Sequence, residues 1–572
     1  MIRNGGFLQT VPNRMALVLI MMFVIFLALC LRIAYLQTTM KDQLRTEGEN
    51  RFLRVVKMSP QRGSIVDRHG RMLSVSTPVD SLAANPKRFC RNRDKWPGLA
   101  ETVGVDMEAL QENCDRYRDA GFMYVLKRIP PEQAEAAIDL GIPGLEVRRE
   151  YKRFFPGGPI GAQLIGLTDT DDKGQEGLEL RYDDLLTGEE GMQRVLKDRL
   201  GRYVEAVDSG QAVRHGADLQ ISIDQRIQSL ASRYLETAVR THEAAGGSIV
   251  VLKVPSGEII AMVNSPQFNP NDRRTITRGV LRNRAVTDAI EPGSLTKPFT
   301  VAMALESGQV MPDTVVNTHP GMMYVGRNRI SDIHDYGELA VTDIVAKSSN
   351  VGTAKLALEL PYDNLYGALK GVGFGNAASD LPGESAGILP RRDKRIEHAT
   401  MSFGYGFSAT ALQIARAYTV FATDGVLLPV TIERKPEGYS ATGQRVFSSS
   451  TVFQVRQMLE KVTTRQGTAR KAQVPGYRVG GKTGTTHKLV NGNYRNRDYL
   501  SLFAGLGPIS EPRFIAVVII DEPRGRHHYG GEVAAPTFAS LMGDIMRLYN
   551  VRPDVLDKVV TSASSHREGT TG

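Results

Sequence analysis

An uninterrupted apolar run near the N-terminus constrains this chain more than any other feature of its sequence. From Met15 to Leu31 no residue is charged, and the segment IAYLQ continues the run beyond Arg32. A helix over residues 15–36, rising about 1.5 Å per residue, is long enough to cross a bilayer. The sequence therefore predicts a transmembrane helix over residues 15–36, preceded by a short cytoplasmic tail over residues 1–14.

A cleaved signal peptide is the alternative interpretation of this run. No small-x-small cleavage site follows it, and Leu29 stands where the lipoprotein-like segment LALC would need a small residue. Charge does not decide the orientation, because basic residues lie on both sides. They are Arg3 and Arg14 before the run, and Arg32, Lys41 and Arg45 after it. We expect the usual arrangement, with the short tail inside and the large remainder outside.

Composition limits the kinds of partner. The 572 residues are 41% hydrophobic and 23% charged, which fits several globular domains with sizeable cores. The net charge of +9 favours an anionic environment, but no basic stripe is interleaved with aromatic residues, and we expect no nucleic-acid partner. Cys90 and Cys114 lie beyond the apolar run, and the sequence leaves open whether they form a disulfide or stay reduced.

The texture of the sequence changes near residue 217. Residues 37–216 are mixed and polar, with turn signals such as DRHG at Asp67 to Gly70, and they predict a non-catalytic module. LQISID then alternates like a strand, QRIQSLASRYLETAVRTH has helical spacing, and two β-rich runs joined by Pro255-Ser256-Gly257 predict a hairpin. This order predicts an α/β sandwich over residues 217–555. Residues 556–572 lack apolar periodicity, so we expect a flexible tail there.

The segment EPGSLTKPF carries the first chemical motif. Pro298 cannot donate a backbone hydrogen bond, so it must lie in the first turn of any helix here, which places Ser294 at the helix start. There the positive end of the helix dipole can stabilise an oxyanion. Lys297 returns to the same face three residues later, and a buried lysine with a lowered pKa could accept the serine proton. The plain alternative is an ordinary helix start.

Two further motifs favour a catalytic site over an ordinary helix start. In KSSNVG, Ser348 and Asn350 can point into one cleft from a short turn, to relay a proton and to hold a substrate amide, although a helix cap uses the same residue types. In VGGKTGTTHK, Lys482 supplies positive charge and Gly484 admits the substrate backbone. Thr483 and Thr485 offer hydroxyls to a carboxylate. A solvated hairpin edge is the alternative here.

Ser-x-x-Lys, Ser-x-Asn and Lys-Thr-Gly in this order are the signature of serine β-lactamases and penicillin-binding proteins. The chain resembles the class B penicillin-binding proteins over nearly its full length, and in particular their division-type D,D-transpeptidases. Further segments that carry the resemblance are RGSIVDRHG at Arg62 to Gly70, RFFPGG at Arg153 to Gly158, GQEGLEL at Gly174 to Leu180, RNRAVTDAIEPGS, and YGGEVAAPTF at Tyr529 to Phe538. It departs from the family where Thr486 and His487 follow KTGT and where DLPGE occupies residues 380–384.

This resemblance implies an α+β or α/β protein with a single membrane helix, an elongated pedestal over residues 37–216, and a transpeptidase domain with a central antiparallel sheet flanked by helices. It implies catalytic roles for Ser294, Lys297, Ser348, Asn350 and Lys482. Substrate binding falls to Thr483, Gly484 and Thr485, and neither a metal nor a cofactor is expected. His527 and His528 fit exposed loop residues better than a zinc site.

The resemblance also implies a biological setting. Expected ligands are peptidoglycan stem peptides, the lipid-linked precursor polymer and β-lactams. Expected partners are a glycan polymerase and other division proteins of the bacterial inner membrane, with the catalytic domain in the periplasm. Three rivals share parts of the pattern: a β-lactamase, a D,D-carboxypeptidase and a β-lactam sensor. A Glu-x-x-Leu-Asn segment of the class A lactamase kind is missing, and only about 14 residues precede the apolar run to carry a signalling segment.

Overall fold

A computed structural model of the chain describes residues 10–197, 203–208, 210–391, 394–490 and 493–555. Residues 1–9 of the predicted cytoplasmic tail and the predicted flexible tail at residues 556–572 lie outside the described residues. The chain divides into two compact units, and each unit combines three separate stretches of sequence. Unit 1 contains residues 1–61, 78–150 and 188–215, and unit 2 contains residues 62–77, 151–187 and 216–572.

Short helices and strands alternate in the first part of the chain. The helices are α1 (Thr10–Thr38), α2 (Lys41–Phe52), α3 (Pro86–Phe89), α4 (Trp96–Val103), α5 (Met107–Arg116), α6 (Pro131–Asp139), α7 (Ala162–Ile165), α8 (Gly177–Arg181) and α9 (Asp183–Thr187). The strands are β1 (Leu53–Met58), β2 (Ile65–Val66), β3 (Met72–Ala84), β4 (Met123–Ile129), β5 (Leu145–Phe154), β6 (Leu167–Thr168), β7 (Gly174–Glu176), β8 (Gly191–Lys197) and β9 (Tyr203–Asp208).

Longer elements dominate the second part. The helices are α10 (Gln225–Thr241), α11 (Arg278–Leu281), α12 (Arg284–Thr287), α13 (Lys297–Glu306), α14 (Val341–Lys347), α15 (Asn350–Leu358), α16 (Tyr362–Gly371), α17 (Arg395–Met401), α18 (Ala411–Ala417), α19 (Thr419–Ala422), α20 (Ser449–Thr463) and α21 (Gly530–Leu548). The strands are β10 (Leu219–Gln220), β11 (Gly246–Lys253), β12 (Glu258–Ser265), β13 (Val315–Asn317), β14 (Met322–Val325), β15 (Asn328–Ser331), β16 (Glu338–Ala340), β17 (Val426–Leu427), β18 (Gln444–Arg445), β19 (Gly480–Val490), β20 (Asn493–Gly507) and β21 (Phe514–Asp521).

Helix α1 contains the predicted membrane span. Its apolar part, Asn13–Thr38, is 26 residues long, has a mean hydropathy of 2.9 and is not buried against the protein. At ~1.5 Å per residue this length reaches about 39 Å, more than the roughly 30 Å hydrocarbon core of a bilayer. The helix is therefore long and apolar enough to cross a membrane.

Unit 1 has a small core of its own. Strands β1, β8 and β9 form an antiparallel sheet. A separate cluster of buried side chains, including Leu82, Leu99 and Leu110, packs with the stacked rings of Phe89 and Trp96, whose centroids are 5.5 Å apart. Cys90 and Cys114 form a disulfide at the edge of this cluster, with their Cα atoms 5.8 Å apart, which settles the alternative that the sequence left open.

Unit 2 is built around an antiparallel sheet in the order β12-β11-β21-β20-β19. Strands β11 and β12 pair through the hairpin predicted at Pro255-Ser256-Gly257. Every residue of β12 and β21 is buried, which requires cover on both faces of the sheet. Helices α10 and α21 pack against each other and on the sheet, and α12, α18 and α19 also pack on its central strands. The prediction of a sheet flanked by helices is confirmed.

One predicted strand is much shorter than expected. LQISID alternates over six residues, but β10 covers only Leu219–Gln220. The chain turns because the Asp224 carboxylate accepts the Arg226 backbone N–H and thereby caps α10. The local capping signal outweighs the strand pattern at this point.

A fully buried ion cluster lies within unit 2. The Glu179 carboxylate accepts hydrogen bonds from Nε of Arg62 and from Nε of Arg153, each at 2.7 Å. Ser74 donates a further hydrogen bond to the same carboxylate at 2.6 Å. Arg62 also pairs with Asp183 at 2.7 Å. Opposite charges are therefore matched and hydrogen-bonded, as buried charges require.

Candidate active site

Ser294 lies on a single 3-10 turn, Gly293–Thr296, which leads directly into α13. Its side chain is half-buried. The Lys297 backbone N–H donates to the Ser294 carbonyl, three residues earlier, as a 3-10 turn requires. Pro298 lies in the first turn of α13, as its missing N–H predicts. The α-helix thus begins at Lys297. Ser294 was predicted at the helix start, but it lies one 3-10 turn before that start.

Close backbone contacts hold this turn. Gly293 has φ +52°, and its N–H donates to the Gly404 carbonyl at 3.0 Å. A Cβ atom added to Gly293 would lie 2.3 Å from the Thr486 methyl, so the turn and the third motif approach as closely as a glycine allows. The buried Tyr418 hydroxyl donates to the Leu295 carbonyl at 2.9 Å. The position of Ser294 is therefore set by contacts with three separate parts of the chain.

Lys297 is fully buried beneath the turn. Its Nζ donates to the Ser348 carbonyl at 2.5 Å, to the Ser348 hydroxyl at 3.1 Å and to Asn350 Oδ1 at 2.7 Å. Burial lowers the pKa of Lys297 from its usual 10.5 to about 7, and the charge of Asp332 opposes that shift. A lysine in this state can accept a proton near neutral pH.

Ser348 and Asn350 flank the junction of α14 and α15. Ser348 ends α14 in the left-handed region, at φ +64°, and Ser349 caps α15. The Asp332 carboxylate fastens the junction, because it accepts the Asn350 backbone N–H, the Val351 backbone N–H and the Ser349 hydroxyl. The two side chains therefore reach Lys297 from opposite sides of one fixed turn.

Lys482 lies on β19 and is also fully buried. Its Nζ donates to the Ser348 hydroxyl at 2.9 Å and to the Thr483 carbonyl at 3.2 Å. Burial, and then the charge of Lys297, hold the pKa of Lys482 well below its usual value. One hydroxyl thus connects two buried lysines, and their repulsion disfavours a proton on both at once.

The remaining third-motif residues continue along β19. The hydroxyls of Thr483 and Thr468 are 2.9 Å apart, and the Thr485 hydroxyl accepts the Gly530 N–H at 3.0 Å. A Cβ atom on Gly484 would lie 3.1 Å from Leu502, which shows how tightly the strand packs there. The strand-like character expected for KTGT is present in the structure.

The structure does not close every predicted contact. Within the described part of the chain the Ser294 hydroxyl has no hydrogen-bond partner, since the Nζ of Lys297 turns towards Ser348 and Asn350. Catalytic hydrogen bonds are often open without substrate and tighten when it binds. The structure brings Lys297, Ser348, Asn350 and Lys482 into one hydrogen-bonded group next to the Ser294 turn.

Sequence reasoning missed three supporting residues. Asp332 precedes Asn350 by 18 residues, Thr468 precedes Thr483 by 15, and Tyr418 follows Leu295 by 123. Their contacts depend on the tertiary fold, and no spacing in the sequence points to them.

The histidines near the third motif form an aromatic stack. His528 packs on Tyr499 with ring centroids 4.2 Å apart, and Tyr499 also contacts His487 at 4.6 Å. His528 is half-buried, whereas His527 is exposed as expected. Among the described residues, no group of three or more His, Cys, Asp or Glu side chains is placed to hold a metal ion.

Comparison with known proteins agrees with this geometry. The family model of the penicillin binding protein transpeptidase domain matches residues 247–543, and that of the penicillin-binding protein dimerisation domain matches residues 57–221. The apo structure of the TP domain of penicillin-binding protein 3 from Burkholderia pseudomallei superposes with a TM-score of 0.54 at 41% identity. The match covers 58% of this chain and 97% of that one.

Two curated relatives match over nearly their whole length. The probable peptidoglycan D,D-transpeptidase PenA of Neisseria gonorrhoeae is 40% identical over 552 residues, which are 95% of this chain and 94% of PenA. The peptidoglycan D,D-transpeptidase FtsI of Escherichia coli is 39% identical over 534 residues, which are 92% of this chain and 90% of FtsI. Together with the two family models, these matches show that the chain belongs to the penicillin-binding protein transpeptidases, in the branch that contains FtsI and PenA.

Proposed function

We propose that the protein is a serine peptidoglycan D,D-transpeptidase that cross-links stem peptides during septal wall synthesis and that β-lactams acylate. The observation that carries this proposal is the pair of fully buried lysines, Lys297 and Lys482, joined through the Ser348 hydroxyl beside the Ser294 turn. Burying two cationic side chains side by side costs free energy unless at least one is neutral. A neutral lysine next to a serine is the arrangement that activates a nucleophile.

Acylation follows from this arrangement. A neutral Lys297 takes the proton of Ser294, and Ser294 Oγ attacks the penultimate carbonyl of a donor peptide that ends in D-Ala-D-Ala. The backbone N–H groups of Ser294 and Thr485 stabilise the oxyanion. Ser348 passes a proton from the lysines to the departing amine, and D-Ala leaves.

Recognition and transfer complete the cycle. Lys482, Thr483 and Thr485 hold the donor carboxylate, and Gly484 lets the donor backbone approach the strand. Asn350 holds a substrate amide. The amine of a neighbouring stem peptide then attacks the acyl-enzyme, which forms the cross-link and releases Ser294.

The test is acylation by a fluorescent penicillin followed by mass spectrometry. Wild type should carry one stoichiometric adduct on Ser294 that outlasts an hour. This corresponds to a loss rate on the order of 10⁻⁴ per second and a barrier of about 23 kcal/mol. Ser294→Ala should take no label, whereas Ser440→Ala, which changes an exposed serine, should label like wild type. Rapid loss of the adduct with repeated turnover would move the assignment to a hydrolase.

We also propose the predicted topology, with the catalytic region outside the cytoplasm. Helix α1 could supply the anchor, and the Cys90–Cys114 disulfide supports an oxidising compartment such as the periplasm. The boundaries 37–216 for the pedestal and 217–555 for the transpeptidase domain remain part of this proposal. Rapid alkylation of intact cells should leave Cys90 and Cys114 unmodified until a reductant is added, and modification without reductant contradicts the topology.

Glycan polymerisation, division partners and the precursor polymer also belong to the proposal. The segment after the membrane helix is proposed to bind a glycan polymerase and other division proteins. A chimera with a foreign membrane helix and foreign residues 37–216 should lose septal localisation, although its acylation by penicillin persists. Normal division by that chimera contradicts the docking role.

A further inference from the structure

Glu291 is a buried carboxylate three residues before Ser294, and the mechanism above leaves it without a role. Its side chain is only 9% exposed. One carboxylate oxygen accepts the Gly406 backbone N–H at 2.9 Å. The Tyr494 hydroxyl donates to both oxygens, at 3.0 and 3.2 Å. The group is therefore held by one backbone donor and one side-chain donor from distant parts of the chain.

Tyr494 belongs to the outer end of the β19–β20 hairpin. It pairs with Leu489 of β19, beyond the third motif, and its side chain is 50% exposed. Its ring packs edge-on against Tyr405, with centroids 6.3 Å apart. The ring is half-exposed, and its hydroxyl donates to the buried Glu291 carboxylate.

The Ser294 turn contacts the same hairpin a second time. Gly293 meets Thr486, where an added Cβ atom would lie 2.3 Å from the threonine methyl. Thr486 directly follows Thr485, while Tyr494 lies further along the hairpin. The segment just before Ser294 therefore contacts the β19–β20 hairpin at two points. Gly293 packs against Thr486 of β19, and Glu291 accepts a hydrogen bond from Tyr494 of β20.

The carboxylate depends on both donors. Burial raises the pKa of Glu291, whereas its hydrogen bonds to Gly406 and Tyr494 lower that pKa. A buried carboxylate that loses a donor pays the desolvation cost of the unsatisfied oxygen. Loss of the Tyr494 hydroxyl would thus leave the segment before Ser294 with a weaker hold on the hairpin.

We propose that Glu291 is a positioning residue, which holds the β19–β20 hairpin through Tyr494 and so fixes the gap between Ser294 and the third motif where the donor peptide lies. The inference rests on the proposed function, because that function places the donor between Ser294 and β19. Glu291 acts through Tyr494 and Gly406 and touches no reacting atom.

The first experiment uses the full chain and measures the second-order rate constant for acylation by a fluorescent penicillin. Tyr494→Phe removes one hydroxyl from a half-exposed ring while Gly406 still donates to Glu291, so it should lower Tm only slightly. We expect the rate constant to fall about threefold to tenfold, the range that one lost hydrogen bond produces. The matched control is Tyr439→Phe, whose side chain is 42% exposed and which should behave like wild type.

A double-mutant cycle separates positioning from a general structural effect. Glu291→Ala should lower acylation more than Tyr494→Phe, and adding Tyr494→Phe to Glu291→Ala should cause no further loss, because the contact is already broken. Glu291→Gln should recover most of the rate, since its amide can still bond both partners. If Glu291→Ala does not fold, Tyr494→Phe and Glu291→Gln still decide.

The positioning role is overturned if Tyr494→Phe acylates at the wild-type rate, or if the two losses in the cycle simply add. Those outcomes leave the proposed function intact, provided that wild type carries its adduct on Ser294. Labelling of Ser294→Ala would instead overturn the proposed function, whatever Tyr494→Phe does.

Discussion

Two groups of buried charged side chains within unit 2 offset the free-energy cost of burying charge in opposite ways. At Arg62, Glu179 and Arg153 the charges are of opposite sign and nearly every polar atom is hydrogen-bonded. At Lys297 and Lys482 the charges are alike, and the acceptors around them are neutral. The first group can stay ionised, whereas the second must give up a proton.

The difference between the two groups shows which buried charges can take part in proton transfer. A matched cluster gains nothing by exchanging protons near neutral pH, so its contribution is to folding. Two adjacent buried lysines instead hold a neutral amine at neutral pH, ready to accept a proton from a serine.

Replacing Lys297 should affect chemistry far more than folding. Lys297→Ala removes the proposed base, and we expect acylation by penicillin to fall by about 10²–10⁴-fold. The control Lys394→Ala changes an exposed lysine and should acylate like wild type. The measurement is the acylation rate constant together with Tm. Near-normal acylation by a folded Lys297→Ala protein removes this lysine from the proposed role.

Breaking the matched cluster should have the opposite profile. Glu179→Gln leaves two buried arginines facing a neutral amide, and we expect a loss of about 3–5 kcal/mol in the free energy of unfolding. Urea unfolding of the chain without the membrane helix α1 measures this loss. The fraction that stays folded should acylate within about twofold of wild type, and a selective loss of acylation with unchanged stability contradicts the contrast.

The pH dependence of the acylation rate constant should depend on Lys297 and not on the ion cluster around Glu179. Protonated Lys297 cannot accept the serine proton, and its pKa lies at about 7. The acylation rate constant should therefore fall about tenfold for each pH unit below 7 and level off above it. In Glu179→Gln the same profile should persist. A flat profile between pH 5 and pH 8 in wild type contradicts the assignment of Lys297 as the base.

The smallest effect is expected from the loss of a neutral hydrogen bond, the one that the Tyr418 hydroxyl donates to the Leu295 carbonyl. Tyr418→Phe leaves the buried Leu295 carbonyl without its donor at 2.9 Å. We expect a loss of about 1–2 kcal/mol in the free energy of unfolding and less than a tenfold change in acylation. Tyr439→Phe again serves as the control. A loss as large as that of Glu179→Gln would mean that charge matching is not what distinguishes the two groups.

Local sequence signals predicted which residues lie together better than they predicted the architecture. Lys297, Ser348 and Lys482 lie in short motifs and are joined by hydrogen bonds in the structure, whereas Ser294 lies on the adjoining turn without a bond to them. Pro298 correctly predicted the first turn of α13, but nothing local distinguishes a 3-10 turn at Ser294 from the helix itself. Asp332 shapes the second motif from 18 residues away, and only the folded chain reveals that contact.

The strand order and the division into two units could not be predicted from the sequence, because both depend on contacts between distant segments. Strand β11 pairs with β21, so Gly246 meets Asp521 across most of the second half of the chain. Alternation predicts that a segment is a strand, but it carries no record of which distant strand lies beside it. The split of residues 37–216 between two compact units likewise depends on tertiary contacts.

The buried cluster in unit 2 also has a consequence for the order in which the protein is made. Arg62 and Glu179 are 117 residues apart in sequence. At roughly 5–20 residues per second, the ribosome needs about 6–23 seconds to supply the carboxylate after the arginine has emerged. During that interval the arginine has no matching charge to bury, so the segment around it must stay hydrated. The cluster can therefore form only on a nascent chain extended past residue 179.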